Sequence, residues 1–510
     1  MKIEIDRRSV SDNARANGTA ATQATRCTAM LFMLTLAVHS GPAQAAELIE
    51  RDQADVYFYD VPNDPIPWQP ENNRHGPDYD IPDETWKVEA DQRINEIRKS
   101  DLTVTLIDED GNPVQGVPVR FELKRHAFPF GAVTTWGFGD AADGELTKQY
   151  LLKYMNAAGF GMGLKPTQCP VLGGDDGRTY RFRRVAEEDI PWLREHDFYI
   201  RGHTLVWDGQ RFLHPNLKQI VADPNLSDHE KGTEIADRMK ERIPHAVQKW
   251  DVQAWDVINE PRVNHLVDEM LPERDTMVEA FEEADEARRA AGRPDVKLYY
   301  NENQVLSWSR WGSYENNRDV YRDRIDDVID AGAAIDGIGF QYRFKQPASP
   351  EVVWERMEDF ADYGLPYQAT EFELVEAARQ PHGWTDRERK QMTAEMITIF
   401  FSHPLADGFW HWAYNQRDPS IESNAEERAP LISWEGEPTA EFEQWIKMME
   451  VDFKTDETVK TDAEGNAEVR GFKGTYLITI GTGPAAAKYV LTLDEDTEVT
   501  ARASVSQGDR

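Results

Sequence analysis

The chain has 510 residues, with 57 Lys and Arg against 92 Asp and Glu, for a formal net charge of −35. A surface of that sign repels phosphate backbones and anionic membranes, so it argues against nucleic-acid or membrane partners and fits action on a neutral one. The length accommodates one large domain with smaller modules beside it.

The only long apolar run is Ala29 to Val38, preceded by Arg7, Arg8, Arg15 and Arg26 and followed by Ala43-Gln44-Ala45. It is too short to span a bilayer and has the layout of a secretory signal, cut after Ala45 or Ala46. Residues 1–46 are therefore expected to be a signal peptide, and the protein to be secreted or periplasmic, free of the membrane after cleavage and monomeric. Cys27 would leave with the signal, and Cys169, the second of two cysteines, would remain without a partner.

Residues 47–100 read as an extended arm followed by a short helix from about Ala90 to Ser100. The arm is rich in Asp, Pro and aromatics and lacks a helical or strand period, and Trp68 and Trp86 are expected to pin it to another surface. Alternating Leu102, Val104, Leu106 and Val117, Val119, Phe121 mark two strands around an Asp-Gly turn. The acidic Asp108-Glu109-Asp110-Gly111-Asn112 lacks the spacing and terminal Glu of a calcium loop and reads as a plain turn.

From residue 130 to 450, short apolar strands alternate with amphipathic helices. The predicted strands are 130–135, 160–165, 199–207, 254–260, 297–303, 336–341, 367–373 and 407–412. Eight strand–helix repeats predict an α/β fold, a (β/α)8 TIM barrel over 128–451. No Gly-rich phosphate turn follows the first strand, which disfavours an open doubly wound sheet. Thr455 to Val499 returns to β alternation, and neither β piece has enough strands to stand alone. The two are expected to pair as one small accessory β-sandwich, with its first part at 101–127, its second at 452–510, and the barrel inserted between.

A strand that terminates in a carboxylate is how a barrel presents acid and base groups at its C-terminal face. Two strands do so: AWDVINEP ends at Glu260 and YQATEFEL carries Glu371. The other strand ends offer His203 and Trp207, Asn259, Asn301, Gln341 and Arg343, and Trp410 or Trp412. Amides and carboxylates bind hydroxyls, and aromatic faces cover sugar rings, so this set suits a carbohydrate. Glycoside cleavage needs one protonated carboxyl and one ionised carboxylate. Glu373 shares the side of its strand with Glu371 and is the in-strand rival for nucleophile. The histidines show no metal-binding spacing and no serine-hydrolase elbow occurs, so no cofactor or metal is expected.

RGHTLVW, WDVINEP, LYYNEN, GIGFQ and TEFEL, in this order, make the chain resemble glycoside hydrolase family 10, the β-1,4-xylanase family, from about Asp91 to Glu450. The resemblance implies Glu260 as acid/base, Glu371 as nucleophile and net retention of anomeric configuration. It further implies that Asn259 holds the sugar 2-hydroxyl, that Lys165, His203, Trp207 and Gln341 line the glycone side, and that Trp412 is a platform. A plant-cell-wall type polysaccharide is then the expected partner.

Two departures qualify the match. The family pattern T-x-E-N-x-M-K-W after the second strand is here GFGMGLKP, so Gly161, Met162 and Pro166 replace Glu, Asn and Trp while Lys165 stays. The usual Q-x-H becomes Gln341-Tyr342-Arg343, which puts a permanent cation where a titratable histidine is expected. Three readings follow: a retaining endo-acting β-xylanase, a relative that has drifted to another or decorated β-glycan, and a carbohydrate-binding protein without turnover.

Overall fold

The computed structural model describes residues 2–4, 49–50, 73–134, 137–138, 141–172, 184–307, 313–375, 383–412, 414, 430–433 and 435–504. Apart from strands at Lys2–Glu4 and Ile49–Glu50, the expected signal peptide and the arm as far as residue 72, with Trp68, lie outside the described residues.

The first described helix, α1 (Thr85–Ile97), starts and ends earlier than its sequence pattern suggested, because a strand already begins at Lys99. Two strands follow, β1 (Lys99–Ile107) and β2 (Pro118–His126). The barrel strands are β3 (Phe130–Thr134), β4 (Ala157–Phe160), β5 (Tyr199–Gly202), β6 (Ala254–Asn259), β7 (Lys297–Glu302), β8 (Gly337–Phe340), β9 (Tyr367–Leu374) and β10 (Ala406–His411). Each pairs in parallel with the next, and β10 returns to β3 through Phe409 opposite Phe130, which closes the barrel. β6 and β9 are buried along their whole length, which is why they read as continuous runs rather than alternating ones.

Among the outer helices, α2 (Asp228–Lys249) and α3 (Asp386–Ser402) each start in a capping box, Ser227 with Glu230 and Thr385 with Glu388. The reciprocal bonds satisfy amide donors that the first turn would otherwise leave open. After α4 (Ala440–Lys447) the chain re-enters β structure.

The last five strands are β11 (Asp456–Lys460), β12 (Asn466–Phe472), β13 (Gly474–Ile480), β14 (Ala487–Leu493) and β15 (Thr497–Ser504). β1 lies between β15 and β12 in one sheet, and β2 lies between β11 and β13 in the other. The two lead-in strands thus do not form a hairpin. The Asp108 turn carries the chain from one sheet to the other, and each strand finds its partners in the C-terminal segment. Its Oδ1 accepts from the backbone N–H of Asp110 and Asn112 at 3.0 and 2.8 Å, a side-chain-stabilised turn. The sandwich is therefore built from both sides of the barrel.

The arm between Asn73 and Trp86 docks on α3 and α4. Lys390, fully buried, donates to Gly76 O at 2.7 Å and pairs with Glu443 at 2.8 Å. The Glu443 carboxylate also accepts from the backbone N–H of Arg74, and Gln444 exchanges two bonds with the backbone of Tyr79. A buried ammonium is tolerable only because these acceptors surround it.

Candidate active site

The site occupies the C-terminal mouth of the barrel. Glu260 follows the last residue of β6 with φ +58°, a left-handed conformation costly for a residue with a Cβ. Its N–H donates to Asn301 O at 2.7 Å, and its carbonyl accepts from Val263 and Asn264. The tight turn so fixed leaves the carboxyl facing the mouth. Both of its oxygens are held: Oε1 accepts from Gln341 Nε2 at 2.8 Å, and Oε2 from Trp207 Nε1 at 3.1 Å and Asn264 Nδ2 at 3.0 Å. Gly209 makes room for Asn264, since a Cβ there would lie 1.9 Å from its Oδ1.

Glu371, in β9, is 2% exposed. Its Oε1 accepts from Asn301 Nδ2 at 3.2 Å, and its Oε2 from Arg343 Nε at 3.1 Å and Nη2 at 2.5 Å. Arg343 also reaches Glu373, at 3.1 Å. Burial works against the Arg343 charge, but Glu371 and Glu373 more than offset it and hold the guanidinium above its ordinary range. The short segment Gln341-Tyr342-Arg343 therefore holds both glutamates. Tyr342, with φ +57°, turns the other way into the core, where its hydroxyl donates to Met396 O at 3.1 Å.

Asn301 ties the site together. Its Nδ2 also donates to Asn259 Oδ1 at 2.9 Å, and its Oδ1 accepts from Thr370 Oγ1 at 2.7 Å, which fixes the amide orientation. Below the mouth, His203 Nδ1 donates to Asp256 at 2.7 Å, and Arg201 Nη1 donates to the same carboxylate at 2.7 Å. Burial would raise the Asp256 carboxyl, but Arg201 and His203 hold it below its usual value, so it is anionic. An anionic acceptor at Nδ1 fixes both the tautomer and the ring plane of His203.

Of the residues singled out in the sequence, Glu260, Glu371, Asn259, Asn301, Gln341, Arg343, His203 and Trp207 are joined by these contacts. Lys165 and Trp412 adjoin them, the ammonium lying 4.3 Å from the Trp207 ring centre and 5.5 Å from that of Trp412. Trp410 does not reach the mouth. It is fully buried one layer down the barrel, with Tyr199 at 5.7 Å, because alternate residues of β10 face inward and only Trp412 stands at the strand's end. Residues 160–165 are not a strand: β4 ends at Phe160, and Gly161 to Lys165 form the turn that follows.

Asp256, Asn264, Thr370 and Glu302 escaped the sequence reading. Glu302 is fully buried at the end of β7, accepting from the backbone N–H of Arg262 at 2.9 Å and Asn303 at 2.7 Å. Burial pushes its carboxyl up to about 8, the Arg262 charge opposing and the nearby Glu260 reinforcing the shift. Its signal was the second acid in Asn301-Glu302 at a strand end. That of Asp256 was a charge inside an otherwise apolar run. Among the described residues no cluster of three His, Cys, Asp or Glu side chains is arranged to hold a metal ion.

Comparison with known proteins places this arrangement. An anti-sigma-I factor, RsgI6, of Acetivibrio thermocellus is 24% identical over 80% of this chain and 48% of its own length. A thermostable celloxylanase of Thermoclostridium stercorarium is 26% identical over 54% of this chain and 69% of its own, and the chain spans about half or less of several other curated relatives. The crystal structure of xylanase 10B from Thermotoga petrophila, in complex with xylobiose, shares the fold at TM-score 0.51 and 19% identity, covering 64% of this chain and 94% of that one. The model described as Glycosyl hydrolase family 10 matches residues 127–446, more than half of the chain, and the chain belongs to that family.

Proposed function

We propose that the protein is an exported, retaining, endo-acting glycoside hydrolase that cleaves β-1,4-xylan or a xylan-like polysaccharide. The observation that carries the reading is the pair Glu260 and Glu371, on the fourth and seventh barrel strands, held by one segment and joined through Asn301. In the first step Glu371 attacks the anomeric carbon while Glu260 gives its proton to the leaving glycosidic oxygen. The C–O bond breaks and a glycosyl ester forms on Glu371. In the second, Glu260, now ionised, takes a proton from water, whose oxygen attacks the anomeric carbon and displaces the Glu371 carboxylate. Configuration is inverted twice and so retained.

The surrounding groups suit these roles. Arg343 supplies countercharge to Glu371 both as attacking and as departing carboxylate. Asn259, its carbonyl engaged by Asn301, has its amide N–H groups to offer a sugar 2-hydroxyl. Gln341, Trp207 and Asn264 keep the Glu260 carboxyl in line with the leaving oxygen in both steps. The names of the celloxylanase and xylanase relatives support xylan as the substrate class, and the leader pattern in 1–46 supports export.

A second reading, carbohydrate binding without turnover, is favoured by the relative named as an anti-sigma factor, which matches 80% of this chain. Hydrolysis of a panel of polysaccharides, with Glu260→Ala and Glu371→Ala as controls, separates the two. Oligosaccharide release from xylan, abolished in both variants, is expected; binding without release from any member of the panel would favour the second reading.

A further inference from the structure

Two donors meet on one oxygen of Glu260: Trp207 Nε1 and Asn264 Nδ2 both reach Oε2. They come from different stretches of chain. Trp207 lies on the segment that leaves β5, and Asn264 on the loop that leaves β6. The carboxyl keeps its direction only while the two stretches keep their spacing.

Asp208 joins them. It is 3% exposed, and its Oδ2 accepts from the backbone N–H of Val267 at 3.0 Å, at the start of the short helix Leu266–Met270. The cavity it borders is lined by Val206, Ala236, Met239, Ile258 and Met277 among others. Burial pushes the Asp208 carboxyl up to about 7, the Val267 N–H opposing the shift. A carboxylic acid keeps an acceptor oxygen, so the bond to Val267 does not depend on ionisation.

Three consecutive residues thus face the loop 260–267. Trp207 donates to its carboxyl, Asp208 accepts from Val267, and Gly209 leaves room for Asn264. Near its other end the same loop is held by Glu302, which accepts from the N–H of Arg262.

We propose that Asp208 is a positioning residue for Glu260: by accepting from Val267 it holds the loop that carries Asn264 against the segment that carries Trp207, and so keeps the acid aimed at the leaving oxygen. This rests on the glycosidase reading above. Asp208 itself touches no substrate, and its effect passes through the two donors on Oε2.

A displaced acid shows in which substrates suffer. Dinitrophenolate departs without a proton, whereas phenolate draws on the general acid. Asp208→Leu removes the acceptor and suits the apolar surroundings. It is expected to lower kcat/KM for a phenyl xylobioside by about 10- to 100-fold and to leave that for the dinitrophenyl xylobioside within about threefold. Asp208→Asn keeps an acceptor oxygen and is expected to restore the wild-type ratio of the two. Equal falls on both glycosides in Asp208→Leu, a change on neither, or a shifted ratio in Asp208→Asn overturns the proposal and leaves the hydrolase reading standing. Gly209→Ala supplies an arm that does not depend on the folding of Asp208→Leu. Its Cβ would lie 1.9 Å from Asn264 Oδ1 and must move that side chain, so the same selective loss is expected and an unchanged ratio overturns the proposal. Wild-type protein that cleaves neither glycoside nor any polysaccharide defeats the glycosidase reading, and the proposal with it.

Discussion

Arg343 donates two hydrogen bonds to one oxygen of Glu371, from Nε at 3.1 Å and from Nη2 at 2.5 Å, and reaches Glu373 at 3.1 Å with its remaining nitrogen. One guanidinium therefore balances two carboxylates that are almost wholly buried. Removing it leaves two neighbouring buried carboxylates without their cation. Arg343→Ala is expected to lower kcat/KM at neutral pH by about 10²- to 10³-fold. Arg343→Lys should lose less, since it keeps the charge but not the fork. Steady-state kinetics of the three proteins on one activated glycoside at neutral pH check this.

Glu373 shares that cation but not the Asn301 contact. Its Oε1 is buried with no hydrogen-bond partner, an arrangement suited to balancing Arg343 and not to meeting a substrate. Glu373→Gln is expected to keep activity within about tenfold, whereas Glu371→Gln should lose about 10⁴-fold or more, as loss of a nucleophile does. Single-turnover kinetics on an activated glycoside would reveal an exchange of these roles.

Glu302 makes stability depend on pH. Its folded carboxyl is raised to about 8, above its value in the unfolded chain, so the native state keeps a proton that the unfolded state has released. The favourable term is complete below the unfolded value near 4.5 and is lost as pH rises through about 8. Within that window the slope approaches about 1.4 kcal/mol per pH unit. Glu302→Gln abolishes the titration, so its thermal midpoint should fall less than the wild type's between pH 5 and pH 8. Equal falls would count against the assignment.

The arm at residues 73–86 is tied down by a buried charge. Lys390→Ala would leave Glu443 facing the arm with no ammonium, and breaking a buried pair of this kind costs about 3–5 kcal/mol. Urea unfolding should show the loss, together with faster proteolysis of the arm.

Much of this architecture is legible in the chain, for identifiable reasons. β6 and β9 are buried along their whole length, so AWDVIN and YQATEFEL stand out as strands, and Glu260 just after the first and Glu371 near the end of the second are visible by contrast. β4 is hard to place from the sequence because Ala157, Ala158 and Gly159 have none of the bulk that marks a strand, while Phe160 at its end and Met162 and Leu164 in the turn after it give a false alternation. The lead-in strands were legible as strands but not as members of different sheets, since their partners lie more than 300 residues further along the chain. The bonds from Gln341 and Arg343 to the two glutamates depend on Tyr342 taking φ +57°, which no residue type announces there. That the Trp412 ring lies against Gly161 is likewise a fact of packing between the ends of β4 and β10, invisible until both strands are placed.

The central claim is that Glu371 attacks the sugar with Glu260 as its acid and base. It is tested most directly by incubating the protein with an activated fluorinated xyloside that forms a long-lived glycosyl ester, then mapping the labelled peptide by mass spectrometry. One ester is expected, on Glu371, formed more slowly in Arg343→Ala. An ester on Glu373 or Glu260, or first-formed product of inverted configuration, would contradict it.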